Sequence, residues 1–378
     1  MRQDTGQSQT KASIRCGASS LSPKMKNKCL MKRIQVNYRL LLSLLLMPLL
    51  SGCIYETLPE CPVSYKTWLV PSFTKHTNTD EDGSYVDLFA ETAKEITVYI
   101  FDENGFYVGR ISRDGPFENG LEIPFVVPGP GTYRVILWTN TNPFTQLNIE
   151  PQEGTNISDL LISLKNLEQQ PTVSYRFDPI LYGQTEPFTV TGTGGENQKI
   201  KLDLIRITNK VQVTVRWRNK VTGELTAAPS YADRTRMYLE DNNGVLNFEN
   251  TKYQGPWLTY IPLYFTGEEL DPFKDPAFPD ATTLAGEFST MRLFTDSETK
   301  LSFNQMDDAG NETPAARFDL MKLIKKTGAY QTQDDLDREE YFYIYIEFAI
   351  EEGNGDTYTA VDITINGWHV SNMDDEEV

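Results

Sequence analysis

The chain has 378 residues, 39% of them hydrophobic and 23% charged, with 35 basic and 53 acidic residues and a net charge of −18. Nine of the basic residues and one acidic residue precede Cys53, so residues 53–378 hold 26 basic and 52 acidic residues, a net charge near −26. That balance excludes a nucleic-acid binder, which needs basic surface for the phosphates, and electrostatic docking on anionic lipid; it reads as a solvated, solubilising surface.

The first predicted element is Leu40–Leu50, an apolar run of eleven residues. It is too short to span a bilayer, which takes about 20 apolar residues. Lys32, Arg33 and Arg39 stand before it and small residues follow, the layout of a secretory signal. Leu50-Ser51-Gly52-Cys53 resembles the bacterial lipobox, which places cleavage between Gly52 and Cys53 and lipid on Cys53. Each buried CH₂ adds about 0.8 kcal/mol, so a diacylated or triacylated Cys53 would hold the chain on a membrane without spanning it. Met31 with Lys32 and Arg33 makes an ordinary start, so residues 1–30 read as an over-extended gene start, with Met1, Met25 and Met31 as the candidate initiators. Residues 1–52 read as a signal peptide with that extension, and 53–60 as a lipidated tether.

Cys16 and Cys29 precede the cut and Cys53 takes lipid, which leaves Cys61 alone. No intramolecular disulfide is available, so an exported domain must hold itself by its core. His76 and His369 are the only histidines, too few for zinc sites of the usual spacing.

From Cys61 onward the chain reads mostly as strands. Ile96, Val98 and Ile100 alternate with Thr97 and Tyr99. Asp102-Glu103-Asn104-Gly105 then predicts a hairpin, because Asn and Gly both tolerate φ > 0. Pro128-Gly129-Pro130-Gly131 predicts a turn before the alternation Tyr133, Val135, Leu137. Residues 157–166 predict a short helix. Ile200–Trp217 reads as one long strand with a phase slip near Leu204 and Ile205, the mark of a bulge or a crossing between sheets. Residues 218–235 turn polar, which places a domain boundary there. Asp319 is a predicted N-cap for a helix with Leu320, Leu323 and Ile324 on one face and Gly328 at its end. Phe342, Ile344, Ile346, Phe348 and Ile350 share one face of a strand, as do Val361, Ile363 and Ile365. Short strands with frequent turns describe β-sandwiches. The expected fold is all-β with few short helices: an N-terminal sandwich over 61–218 and a C-terminal one over 219–378.

Several motifs bear on chemistry. Aligned as a calcium loop, Thr79–Gly83 puts Asn78, Asp80 and Asp82 at positions one, three and five. Phe89 then stands at position twelve, where the bidentate Glu belongs, so a solvated loop is favoured. Gly192-Thr193-Gly194-Gly195 lacks the Lys-Ser/Thr of a phosphate loop and reads as a turn. No G-x-S-x-G or H-E-x-x-H occurs. Fifty-two acidic residues bring some carboxylates together in any fold, and nothing singles out a glycosidase pair. Cys61 reads as a structural thiol. Trp68, Trp138, Trp217, Trp257 and Trp368 read as core rather than a sugar platform. No catalytic residue, metal or cofactor is expected.

In order along the chain, several stretches resemble one family. They are the lipobox cysteine followed by Cys61-Pro62, Ile96-Thr-Val-Tyr-Ile-Phe-Asp-Glu-Asn-Gly105, and Pro130-Gly131-Thr-Tyr133 leading to Trp138 and Asn140. Ile205–Val215, Phe318-Asp319-Leu320 and Ile363-Thr-Ile-Asn-Gly-Trp368 complete the set. Together they are similar to the FimB/Mfa2 family of fimbrial anchor lipoproteins of type V pili. The resemblance implies two tandem transthyretin-like β-sandwich domains and no catalysis. It implies an outer-membrane, surface-facing anchor at the base of a fimbrium that limits shaft length, and a shaft subunit as partner through strand addition. In pilins of this type, shaft subunits are trimmed after an arginine that follows the first strand. From Cys53 to Gly109 this chain has no arginine; the first is Arg110. Ile54-Tyr55-Glu56-Thr57 has no clear acidic export tag, so surface exposure rests on the resemblance. Two other readings stay open: a surface lipoprotein or tip adhesin that binds glycan or host protein, and a carboxylate hydrolase.

Overall fold

The computed structural model describes residues 65–191, 198–229, 232–263, 282–350 and 359–370. The strands of the first half are β1 (Tyr65–Ser72), β2 (Glu95–Asp102), β3 (Tyr107–Asp114), β4 (Ile123–Val127), β5 (Gly131–Thr139), β6 (Thr145–Leu147), β7 (Leu161–Leu164), β8 (Thr172–Val173), β9 (Leu181–Gln184), β10 (Phe188–Val190), β11 (Gln198–Asp203) and β12 (Ile205–Arg206). Those of the second are β13 (Thr208–Asn219), β14 (Leu225–Thr226), β15 (Thr235–Asp241), β16 (Val245–Asn247), β17 (Leu258–Tyr260), β18 (Thr282–Met291), β19 (Lys300–Met306), β20 (Glu312–Asp319), β21 (Tyr341–Ile350), β22 (Thr359–Ile365) and β23 (Trp368–His369). Among the described residues the α-helices are Phe89–Thr92, Leu320–Lys326 and Gln333–Arg338. The all-β expectation holds.

In the first half, a sheet ordered β11-β1-β4 faces a sheet ordered β12-β9-β5-β2-β3, with β10 alongside β5. Leu69, Val98, Ile100, Ile123, Val135, Leu137 and Leu204 fill the space between them. β2 and β5 are buried on both faces along Val98–Phe101 and Val135–Trp138, where their sequences are continuously apolar. Their second face presents Tyr99, Phe101, Ile136 and Trp138 to Phe248 and to a small sheet ordered β16-β7-β6.

In the second half, β13 is flanked by β18 and β14 on one side and by β21, β22 and β23 on the other. Val211, Val213, Val215 and Trp217 lie beside Phe342, Ile344, Ile346 and Phe348 on one face. The opposing sheet, β20-β19-β15-β17-β8, supplies Met237, Leu239, Leu301, Phe303 and Phe318. Phe303 meets Phe348 edge-on, with ring centroids 5.4 Å apart. The helix Leu320–Lys326 follows as expected: Asp319 caps it by accepting from the Lys322 amide at 3.1 Å, and Gly328 takes φ +79°.

Three local expectations change. Residues 157–166 form no α-helix. A single 3-10 turn, Ile157–Asp159, is capped by Asn156, and Leu161–Leu164 then becomes β7 because β6 and β16 pair with it on both sides. The turn after β2 places only Gly105 at positive φ, with the Asp102 carboxylate accepting from the amides of Asn104 and Phe106, and a register shift absorbs the extra residue. The expected long strand Ile200–Trp217 is three strands in three sheets. The phase slip is a crossing: β11 ends at Asp203, β12 pairs with β9, and β13 enters the second half.

β13, placed by the sequence reading at the end of a first domain closing at 218, hydrogen-bonds throughout with β18 and β21. The change of sheet therefore falls at 204–208. The halves also interleave, since β8 pairs with β17 and β7 with β16.

Candidate functional site

The expected lipidation site Cys53 and the expected Gly52–Cys53 cleavage point lie outside the described residues, as do Cys61, Gly192–Gly195 and the acidic tail 374–377. The described element nearest the lipidation motif is β1, and it is fully engaged. It runs parallel to β11 over six pairs, Thr67↔Gln198 to Ser72↔Asp203. It runs antiparallel to β4 over five, Tyr65↔Val127 to Leu69↔Ile123. Thr67 and Leu69 point into the core. Lys66 and Trp68 lie on the outer face, with the ammonium 5.1 Å from the indole centroid. The sheet's outer strands carry edge protection: exposed Lys199 and Lys201 on β11, and Pro124, which has no N–H, on β4.

The far end of β1 is fastened to the crossing. Asp203 accepts from the Thr74 amide at 2.9 Å, the Thr74 hydroxyl at 2.8 Å and the Ser72 hydroxyl at 3.3 Å. The Leu204 amide donates to the Ser72 carbonyl at 2.8 Å. Three residues on, the buried Arg206 pairs with Glu340 at 2.5 Å and lies over the Phe73 ring. Nothing in the sequence announced this cluster except the phase slip beside it, which marks the place and not the partners.

Arg110, the first arginine after Cys53, sits on β3 opposite Tyr99 of β2 and pairs with Glu150 at 2.8 Å. Burial pushes the Tyr99 hydroxyl up to about 12. The bond after Arg110 lies inside a hydrogen-bonded strand, so a protease would have to open the β2–β3 pairing to reach it.

The acidic loop folds on itself. The Asp80 carboxylate accepts from the amides of Asp82 and Ser84, the Ser84 hydrogen bonds hold the Asp82 carboxyl below its ordinary range, and Phe89 is buried in the core. Among the described residues no group of three or more His, Cys, Asp or Glu is placed to hold a metal ion. The tryptophans depart from the core expectation. Trp138 and Trp217 are buried, Trp68 is half-buried, and Trp257 and Trp368 are 48% and 56% exposed. Phe144 and Tyr175 stack at 5.4 Å beside a cleft of about 250 Å³ that Lys165, Asn166, Gln170 and Thr172 also line.

The model of the fimbrillin-A associated anchor proteins Mfa1 and Mfa2 matches residues 58–374. No curated protein matches. Among solved structures, a candidate polysaccharide-binding protein of Bacteroides thetaiotaomicron superposes with a TM-score of 0.64 at 20% identity, covering 83% of this chain and 99% of that one. The fimbrial anchor protein Mfa2 of Porphyromonas gingivalis gives 0.61 at 20% identity over 81% and 98%. A candidate adhesin of Bacteroides ovatus gives 0.62 at 18% over 81% and 94%. At these identities the superpositions establish the shared fold, and the family match covers most of the sequence: this chain belongs to the Mfa2 family of fimbrillin-associated anchor proteins.

Proposed function

We propose that this chain is a lipid-anchored structural subunit that roots a fimbrial shaft in the outer membrane and limits its length. The observation that carries the reading is the first strand. β1 occupies the middle of its sheet with partners on both sides, and no arginine separates it from Cys53. A subunit trimmed ahead of assembly vacates a groove for a neighbour's strand; this one keeps its own strand and, with it, the lipidated N-terminus. It terminates a fibre rather than extending one, and the shaft subunit joins by adding a strand at a free edge. Family membership and the lipobox support the same role, and the role needs no catalysis.

Electron microscopy of the parent strain, a deletion and Cys53→Ala tests it. Long or shed fibres in both mutants are the expected result. Fibres that stay attached at unchanged length would overturn the role.

A second reading, glycan or host-protein binding at the cell surface, is favoured by the stacked Phe144–Tyr175 pair beside its mixed apolar and polar cleft and by the exposed Trp257. Aromatic faces with convergent polar groups suit saccharides. If it holds, a glycan array gives a hit that Tyr175→Ala abolishes. An array blank at every glycan removes the reading.

A further inference from the structure

We infer that the first sandwich is a force clamp, in which β1 and β11 carry in shear the load between a tether at the N-terminus and the rest of the molecule. The inference rests on the tether proposed above and adds a mechanical property to it.

The argument is topological. β1 and β11 are parallel and paired over six residues. Load from the membrane side enters at the N-terminal end of β1, beside Gln198. The chain leaves this sandwich from the C-terminal end of β11, at Asp203, and passes through β12 into β13. A pull between those two points draws the parallel strands past one another along their own axes. Every hydrogen bond of the ladder then resists at once, with the β1–β4 ladder sharing the load. A pull at two neighbouring ends would instead open the bonds one at a time. Individual backbone hydrogen bonds contribute little net stability, so geometry, more than their number, sets the resistance. Forced unfolding is governed by the barrier to the first rupture.

The exit of the load path is fastened. The Asp203 carboxylate ties the far end of β1 to the crossing through Thr74 and Ser72, and Arg206 ties the crossing to Glu340 in the second half. A pull on β1 therefore passes into the second half instead of fraying the end of the strand.

Force spectroscopy tests this on the full chain with its four native cysteines replaced by serine and two new cysteines as handles. Lys66→Cys with Val221→Cys, an 82% exposed turn position beyond β13, loads the clamp in shear. Lys66→Cys with Pro130→Cys pulls at the shared end of β1 and β4 and unzips them. The rupture force is expected to be about two- to threefold higher in the shear geometry at equal loading rate. Asp203→Ala is expected to lower the shear force and leave the unzipping force unchanged. Equal forces in the two geometries would overturn the clamp. That failure is separate from failure of the anchor role, because it is read on the isolated molecule and leaves the fibre phenotype of Cys53→Ala untouched.

Discussion

Asp241 is a carboxyl at the C-terminal end of β15, fully buried, accepting from the Thr299 hydroxyl at 2.6 Å and the Asn242 amide at 2.7 Å. Burial raises its pKa above 3.8 despite those hydrogen bonds. The sign follows: the folded chain holds the proton more tightly than the unfolded chain. The contribution of Asp241 is therefore most favourable below 3.8 and declines as pH rises through the elevated folded value. Asp241→Asn should remove this slope. In urea unfolding, the stability of the parent minus that of the variant should fall between pH 4 and pH 8, and a constant difference would refute the assignment. The Arg292–Asp337 pair poses the opposite case. It is bidentate, at 2.8 and 2.5 Å, and nine-tenths buried. Asp337→Ala strands a buried guanidinium and should cost about 3–5 kcal/mol. Asp334→Ala breaks the exposed pair with Arg338 one turn away and should cost about 0.3–0.5 kcal/mol. Denaturant midpoints of the two variants distinguish these outcomes. Neither charge could be singled out in the sequence, where both stand among 53 acidic residues with no periodicity to mark burial.

Elements were readable where one side of a pattern was apolar. The alternation Phe342 to Phe348 and the cap Asp319 gave β21 and the helix Leu320–Lys326 because burial of one face and a single local hydrogen bond decide them. Pairing was not readable, since periodicity reports which face is buried and says nothing of the neighbouring strand. Thus Ile200–Trp217 read as one strand, and β7 read as a helix, because Leu160, Leu161 and Leu164 also satisfy a helical spacing. Exposure of Trp257 and Trp368 escaped the sequence for a related reason: at the end of a strand, alternation has no continuation to show which way the ring points. Close packing between sheets leaves one testable signature. A Cβ on Gly183 of β9 would collide with Leu204 and stand 3.0 Å from Leu202. Gly183→Val should destabilise the first sandwich by about 1–3 kcal/mol through overpacking. A variant as stable as the parent would mean that the sheets separate more easily than their contacts imply.

On the scale of the molecule, one core cluster runs from the outer face of β2 and β5, through Phe248, to the centre of the second sandwich. With strand pairs formed between the halves, the molecule gains the rigidity that a fold held by its core alone needs. No helix among the described residues is long and apolar enough to cross a membrane, and in the proposed role attachment rests on lipid at Cys53. A permanent anchor requires that Cys53, the tether and β1 remain one covalent piece. The measurement that tests this most directly is the intact mass of the protein purified from its native membrane. The account predicts a chain that begins at a diacylated or triacylated Cys53, with β1 included. A mature N-terminus anywhere past Cys61 would contradict it.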